Sequence, residues 1–119
     1  MMKALILTFL VFPLLSFAQW KTDLSLSIDG ETWKKAQVEL NQDKESVIDF
    51  SRHQLKLSLQ RNKQEGGVDV TYLIQAKGTK GVVTIAKGTE NIDDSKASEI
   101  YAKGEPGQPN SIITFKIYK

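Results

Sequence analysis

Cysteine is absent from this chain, histidine occurs once and proline three times in 119 residues. Without cysteine there is neither a disulfide framework nor a lipid-attachment thiol. With His53 as the sole imidazole, the Cys/His sets that hold zinc cannot be assembled. No metal site and no cofactor is therefore expected. No glycine-rich loop opens a helix, so a phosphate cradle has nothing to be built on. An excess of one charge is missing as well. Beyond residue 18 there are fifteen basic and fourteen acidic residues. Phosphate neutralisation supplies most nucleic-acid affinity and needs a basic surplus, so no nucleic-acid partner is expected.

Long apolar runs are also lacking, except at the start. Met1-Met2-Lys3 precedes the run Ala4 to Leu15, and Ser16-Phe17-Ala18 closes it with small residues at the last and third-last positions. A positive start, an apolar core and a small-residue exit are what an export peptidase reads. A membrane anchor would need ~20 apolar residues, and this run is shorter and interrupted by Pro13. The expectation is a signal peptide over residues 1–18, cleaved after Ala18. Residues 19–119 then form a single secreted or periplasmic domain that begins at Gln19 and has no transmembrane segment. A cysteine-free exported chain of this style is read as bacterial. A domain of this length can bury a sufficient core without staples.

Alternation with a period of two dominates residues 19–119. Leu24, Leu26 and Ile28 alternate with polar residues and run into Asp29-Gly30, a favoured hairpin pair. In the next segment Trp33 has one parity and Ala36, Val38 and Leu40 the other, which calls for a bulge near Lys34-Lys35. Ile48 and Phe50, then Leu55, Leu57 and Leu59, form two strands of opposite parity about a turn at Ser51-Arg52-His53. Val68 to Ala76 alternates again. Val82 to Ala86 and Ile112 to Tyr118 are apolar on both faces, as expected of strands inside a sheet. Residues 95–103 fit a two-turn helix or a strand, and their neighbours favour the strand. About seven to eight short strands with turns roughly every ten residues imply an all-β fold: a single antiparallel β-sandwich, immunoglobulin-like or similar. A small β-barrel is the alternative. A faint echo links "SVIDFSRHQLKLSLQR" to "SEIYAKGEPGQPNSIITFKIYK", each a short strand, a turn and a longer strand.

Ala-Lys-Gly occurs at 76–78, 86–88 and 102–104. With turns alternating between the two ends, Gly78 and Gly104 fall at one end and Gly88 at the other, so the three cannot converge on one ligand. They are read as strand exits where glycine supplies positive φ. Asp49, Ser51 and His53 invite a triad, yet on an extended strand they stand roughly 7 Å apart, and no nucleophile elbow or oxyanion signature accompanies them. His53 is read as an exposed turn residue. Glu90, Asp93 and Asp94 offer oxygens for calcium without the spacing of a calcium loop. Trp33 is expected in the core, and Trp20 nearer the surface.

The same alternation gathers Arg52, His53, Lys77, Lys80 and Lys103 on a mildly basic rim at one end, and these are the candidate ligand-binding residues, with Trp20 as an exposed aromatic. No catalytic residues are assigned. The expected function is that of a non-enzymatic exported protein that binds a protein or a surface glycan through end loops or a sheet edge. Two alternatives stand beside it: a barrel carrier of an apolar ligand, and a hydrolase using Asp49, Asp69, Asp93 or Asp94.

Overall fold

The computed structural model describes residues 19–118, and the expected signal peptide, residues 1–18, lies outside the described residues. Eight strands run in order along the chain: β1 (Gln19–Ile28), β2 (Glu31–Asn41), β3 (Glu45–Phe50), β4 (His53–Arg61), β5 (Val68–Gly78), β6 (Gly81–Ile92), β7 (Ser98–Ala102) and β8 (Ser111–Tyr118). The ambiguous segment 95–103 is thus a strand at its centre. All strand pairings are antiparallel, and the strands form two open four-stranded sheets in the orders β2-β1-β8-β7 and β3-β4-β5-β6. The fold is a β-sandwich and does not close into a barrel. Its strand order differs from the immunoglobulin arrangement, in which one sheet takes the first, second, fifth and fourth strands.

Local chemistry sets the hairpins. Asp29 and Gly30 both take positive φ, 51° and 83°, as a two-residue turn matched to strand twist requires. Ser51 at φ 57° lets Phe50 pair directly with His53 across a second two-residue turn. The bulge in β2 lies at Ala36-Gln37, two residues beyond the expected position. There the register slips opposite Asp23, Gln37 takes φ 53°, and its N–H donates to Asp23 Oδ1 at 2.9 Å. The carboxylate stabilises a left-handed residue that nothing in the hydrophobic pattern marks.

The four central strands fill the interior. Leu24, Leu26 and Ile28 of β1 and Ile113 and Phe115 of β8 pack against Leu55, Leu57 and Leu59 of β4 and Val68, Val70, Tyr72 and Ile74 of β5, all buried. Each such side chain contributes about 1.5–3 kcal/mol by leaving water, which gives a domain of this size its cohesion without cross-links. The sheets are also stitched at both seams. Asp43 N–H donates to Leu59 O at 2.9 Å, and Glu105 N–H to Ile85 O at 2.8 Å.

β6 corrects the expectation of a strand inside a sheet, because it is an edge strand. Ile85 and Ala86 are both buried because a register shift opposite Ile74 and Gln75 turns two successive residues inward. Val82 and Val83, nearer the hairpin tip, are exposed. The Ala-Lys-Gly glycines need correction too. None of Gly78, Gly88 and Gly104 is among the positive-φ residues, and Gly88 lies within β6, not at a turn. A Cβ on Gly88 would come within 2.7 Å of the Tyr72 hydroxyl, and one on Gly104 within 2.3 Å of the Gln108 and Pro109 carbonyls. At these two positions glycine is demanded by close approach, not by backbone handedness.

Candidate binding surfaces

Arg52, His53 and Lys77 do meet at one end of the sandwich. His53 opens β4 opposite Phe50 and Ala76, so its ring points to the inner side of its sheet, toward β2 of the other sheet. There it packs on Trp33, with ring centroids 4.9 Å apart at a tilt of 44°. Trp33 is half-buried at the rim of the core, not within it, and His53 is likewise half-buried where an exposed turn residue was expected. The His53 Nδ1 is buried and has no hydrogen-bond partner. Burial lowers the His53 pKa from its usual 6.5; Glu31 opposes that shift and Arg52 adds to it. A neutral imidazole without an acceptor at Nδ1 carries its proton on Nε2, an assignment made from the hydrogen-bond network.

Glu31, Trp33, Ser51, Arg52 and His53 together line a recess of about 320 Å³ between the first and second hairpins. Beside it, Lys77 N–H donates to Arg52 O at 2.9 Å and Lys77 Nζ pairs with Asp49 at 2.5 Å. The Lys77 charge is therefore matched, and it pulls the Asp49 carboxyl below its usual range. Lys80, at the β5–β6 tip, and Lys103, beyond β7, are exposed at the same end and do not line the recess. Trp20 belongs to the opposite end. It packs half-buried against the core, and the Arg61 guanidinium lies 5.4 Å over its ring while bonding Asp94 at 3.0 Å.

The Asp49, Ser51, His53 constellation does not assemble. Asp49 is on the outer face of β3 opposite Gln54, and His53 on the inner face of β4, because the two-residue turn inverts the parity that an unbroken strand would have kept. The remaining carboxylates are dispersed. Asp69 accepts from Asn62 and Asn91, Asp93 accepts from the Ser95 N–H and hydroxyl, and Asp94 serves Arg61. Among the described residues no group of three or more His, Asp or Glu is placed to hold a metal ion, and no helix is long and apolar enough to cross a membrane.

Four strands form sheet edges, and three carry a register shift or at least two charged side chains. β2 has its bulge together with Lys34 and Lys35. β6 has its own register shift and is capped by the Glu105 N–H. β3 exposes Val47 between the acids Glu45 and Asp49. β7 is different. Its five residues keep unbroken register with β8, with Ile100 and Ala102 buried inward, Glu99 and Tyr101 outward, and no proline or lysine. Tyr101 is 72% exposed and pairs with Ile112 on the outer face. No protein-family model, no curated protein and no solved structure matches this chain.

Proposed function

We propose that the protein is an exported, non-enzymatic contact module whose partner is another protein, met along β7 by strand addition. The leader Met1 to Ala18 supports export to the envelope or the exterior. The observation that carries the reading is the state of β7. Natural sheets guard their edges with bulges, prolines, charged side chains or short strands, and β7, though short, has no bulge or proline and carries the fewest charges of the four edges, Glu99 alone. An added strand takes its affinity from main-chain bonds and its specificity from alternate side chains. Tyr101 with Ile112 provides an aromatic-aliphatic contact for such a side chain.

The filled interior removes support from an apolar-ligand carrier, which needs strands closed around a cavity. Asp49, Asp69, Asp93 and Asp94 each have a structural partner, which removes support from a hydrolase built on a pair of them.

The test replaces Tyr101 with a photoreactive phenylalanine in the exporting host and illuminates intact cells. The expected result is one discrete protein adduct at position 101, none at Val47 on the β3 edge, and loss of the adduct when Glu99→Lys is added. Equal labelling at both edges, or none at 101, overturns the reading.

A further inference from the structure

We infer that the recess lined by Glu31, Trp33, Ser51, Arg52 and His53 is a binding site for a uronic acid residue, a pyranose ring carrying a carboxylate. The inference is independent of the β7 edge, which lies in other strands.

Three kinds of group converge there. Arg52 contributes a fork of donors suited to a carboxylate, and Ser51 adds a hydroxyl. With Nδ1 sealed in the protein and lacking an acceptor, His53 directs its Nε2–H outward as a further donor. The indole of Trp33, half-exposed and braced on one side by the imidazole, offers an apolar surface to the C–H face of a sugar ring. Glu31 accepts from ring hydroxyls and repels a carboxylate, so it fixes which way the ring enters. A site with one cation, one anion, one hydroxyl and an aromatic surface matches a charged sugar better than a bare anion or an apolar molecule.

The neighbourhood sharpens this choice. Lys77 is bound to Asp49 and Lys35 lies 5.8 Å over the Phe50 ring, and neither lines the recess, which leaves Arg52 as the cation in its lining. A volume of about 320 Å³ is near the lower limit for small-molecule sites and suits one ring of a longer glycan, not an enclosed ligand. The recess is also built on rigid parts. Ser51 is held left-handed in a two-residue turn, Arg52 O is fixed by the Lys77 N–H, and Trp33 is anchored between the bulge and the first hairpin. Side chains carried on a fixed backbone lose less entropy on binding than side chains on a mobile loop.

The sequence has two tryptophans, so Trp20→Phe leaves Trp33 as the only indole fluorophore. In that background, trimers of galacturonate and of glucuronate are titrated, each beside its methyl ester, which keeps the ring and removes the charge, and beside acetate, which keeps the charge and removes the ring. The expected result is saturable change in Trp33 emission with at least one acidic trimer, and weakening by about tenfold or more for its ester and for Arg52→Ala, the loss expected for a hydrogen-bonded charge. Amide shifts in nitrogen-15 spectra should centre on Glu31, Trp33 and Ser51 to His53. Arg52 is exposed, so its replacement leaves the fold intact, and thermal melts of the variant check this. The inference is overturned if neither trimer saturates at millimolar concentration, if ester and acid bind alike, if acetate competes as well as the trimer, if Arg52→Ala binds unchanged, or if the shifts map elsewhere.

Discussion

His53 and three aspartates set how the fold responds to acid. The His53 pKa is lowered by burial, so the folded state prefers the neutral ring; below about pH 6.5 the unfolded chain takes up a proton that the folded one resists, and stability falls as pH falls. Asp23 is lowered chiefly by the Tyr118 hydroxyl, Asp49 by Lys77 and Asp93 by Ser95. Their contribution is present above pH 3.8 and is lost as pH drops through their depressed values. Tyr72, raised by burial, and Tyr118, raised by Asp23, work in the other direction and withdraw stability above pH 10. Urea midpoints should therefore plateau from roughly pH 7 to 9, with the slope just below pH 6.5 flattened in His53→Gln. Gly104→Ala should destabilise by about 1–3 kcal/mol, since its Cβ would strike two backbone carbonyls that cannot rotate away. Legibility at this scale was uneven. The parity change between Phe50 and Leu55 marked a turn, yet only the two-residue length of that turn tells that His53 faces inward onto Trp33. Periodicity places a strand but does not count the residues between strands.

At the scale of strands, the pattern gave existence and type throughout and failed at irregularities. Val82 to Ala86 looked buried on both sides because a bulge turns Ile85 and Ala86 inward together, which imitates the signature of a central strand. In β2 the phase change was visible, but its position was not, because the residue that takes positive φ is Gln37, with no conformational preference to betray it. That conformation carries strain of order ~1–3 kcal/mol. Gln37→Gly should relieve part of it and raise stability by about 0.5–1 kcal/mol in urea melts, provided the N–H to Asp23 bond is kept. If the variant is weaker instead, the Asp23 contact already compensates the backbone in full. The candidate rim was partly legible: alternation of turns placed Arg52, His53 and Lys77 at one end, whereas the Trp33 and Glu31 half of the recess comes from the other sheet and depends on how the layers stack.

The whole molecule has an order that the run of strands along the chain conceals. One sheet is β3-β4-β5-β6, and the other, read from its far edge, is β7-β8-β1-β2. Each is a four-strand meander, and the second is interrupted only because β8 is last and β1 first among the described residues. The faint echo between the β3–β4 and β7–β8 segments pairs strands that occupy equivalent places, and both meanders end on a bulged edge strand, β6 or β2. Lys21 pairs with Tyr118, so a short linker should join β8 to β1. A circular permutant opened in residues 93–97 should fold with a native circular dichroism spectrum and a cooperative melt. Leu57→Ala, at the shared interior, should cost about 2–5 kcal/mol in either version. That is a large part of the ~5–15 kcal/mol available to a domain.

The pairing of β8 between β1 and β7 has a further bearing on delivery by the proposed export route. As the polypeptide threads through a translocation channel, its first strand emerges with one flank matched by β2 and waits bare on the other until residues 111–118 arrive. Sheet closure is therefore a late event, timed by passage of that segment. Anything that clips or stalls those eight residues would leave the β1–β2 hairpin and the single strand β7 apart and present their inner leucines and isoleucines to proteases.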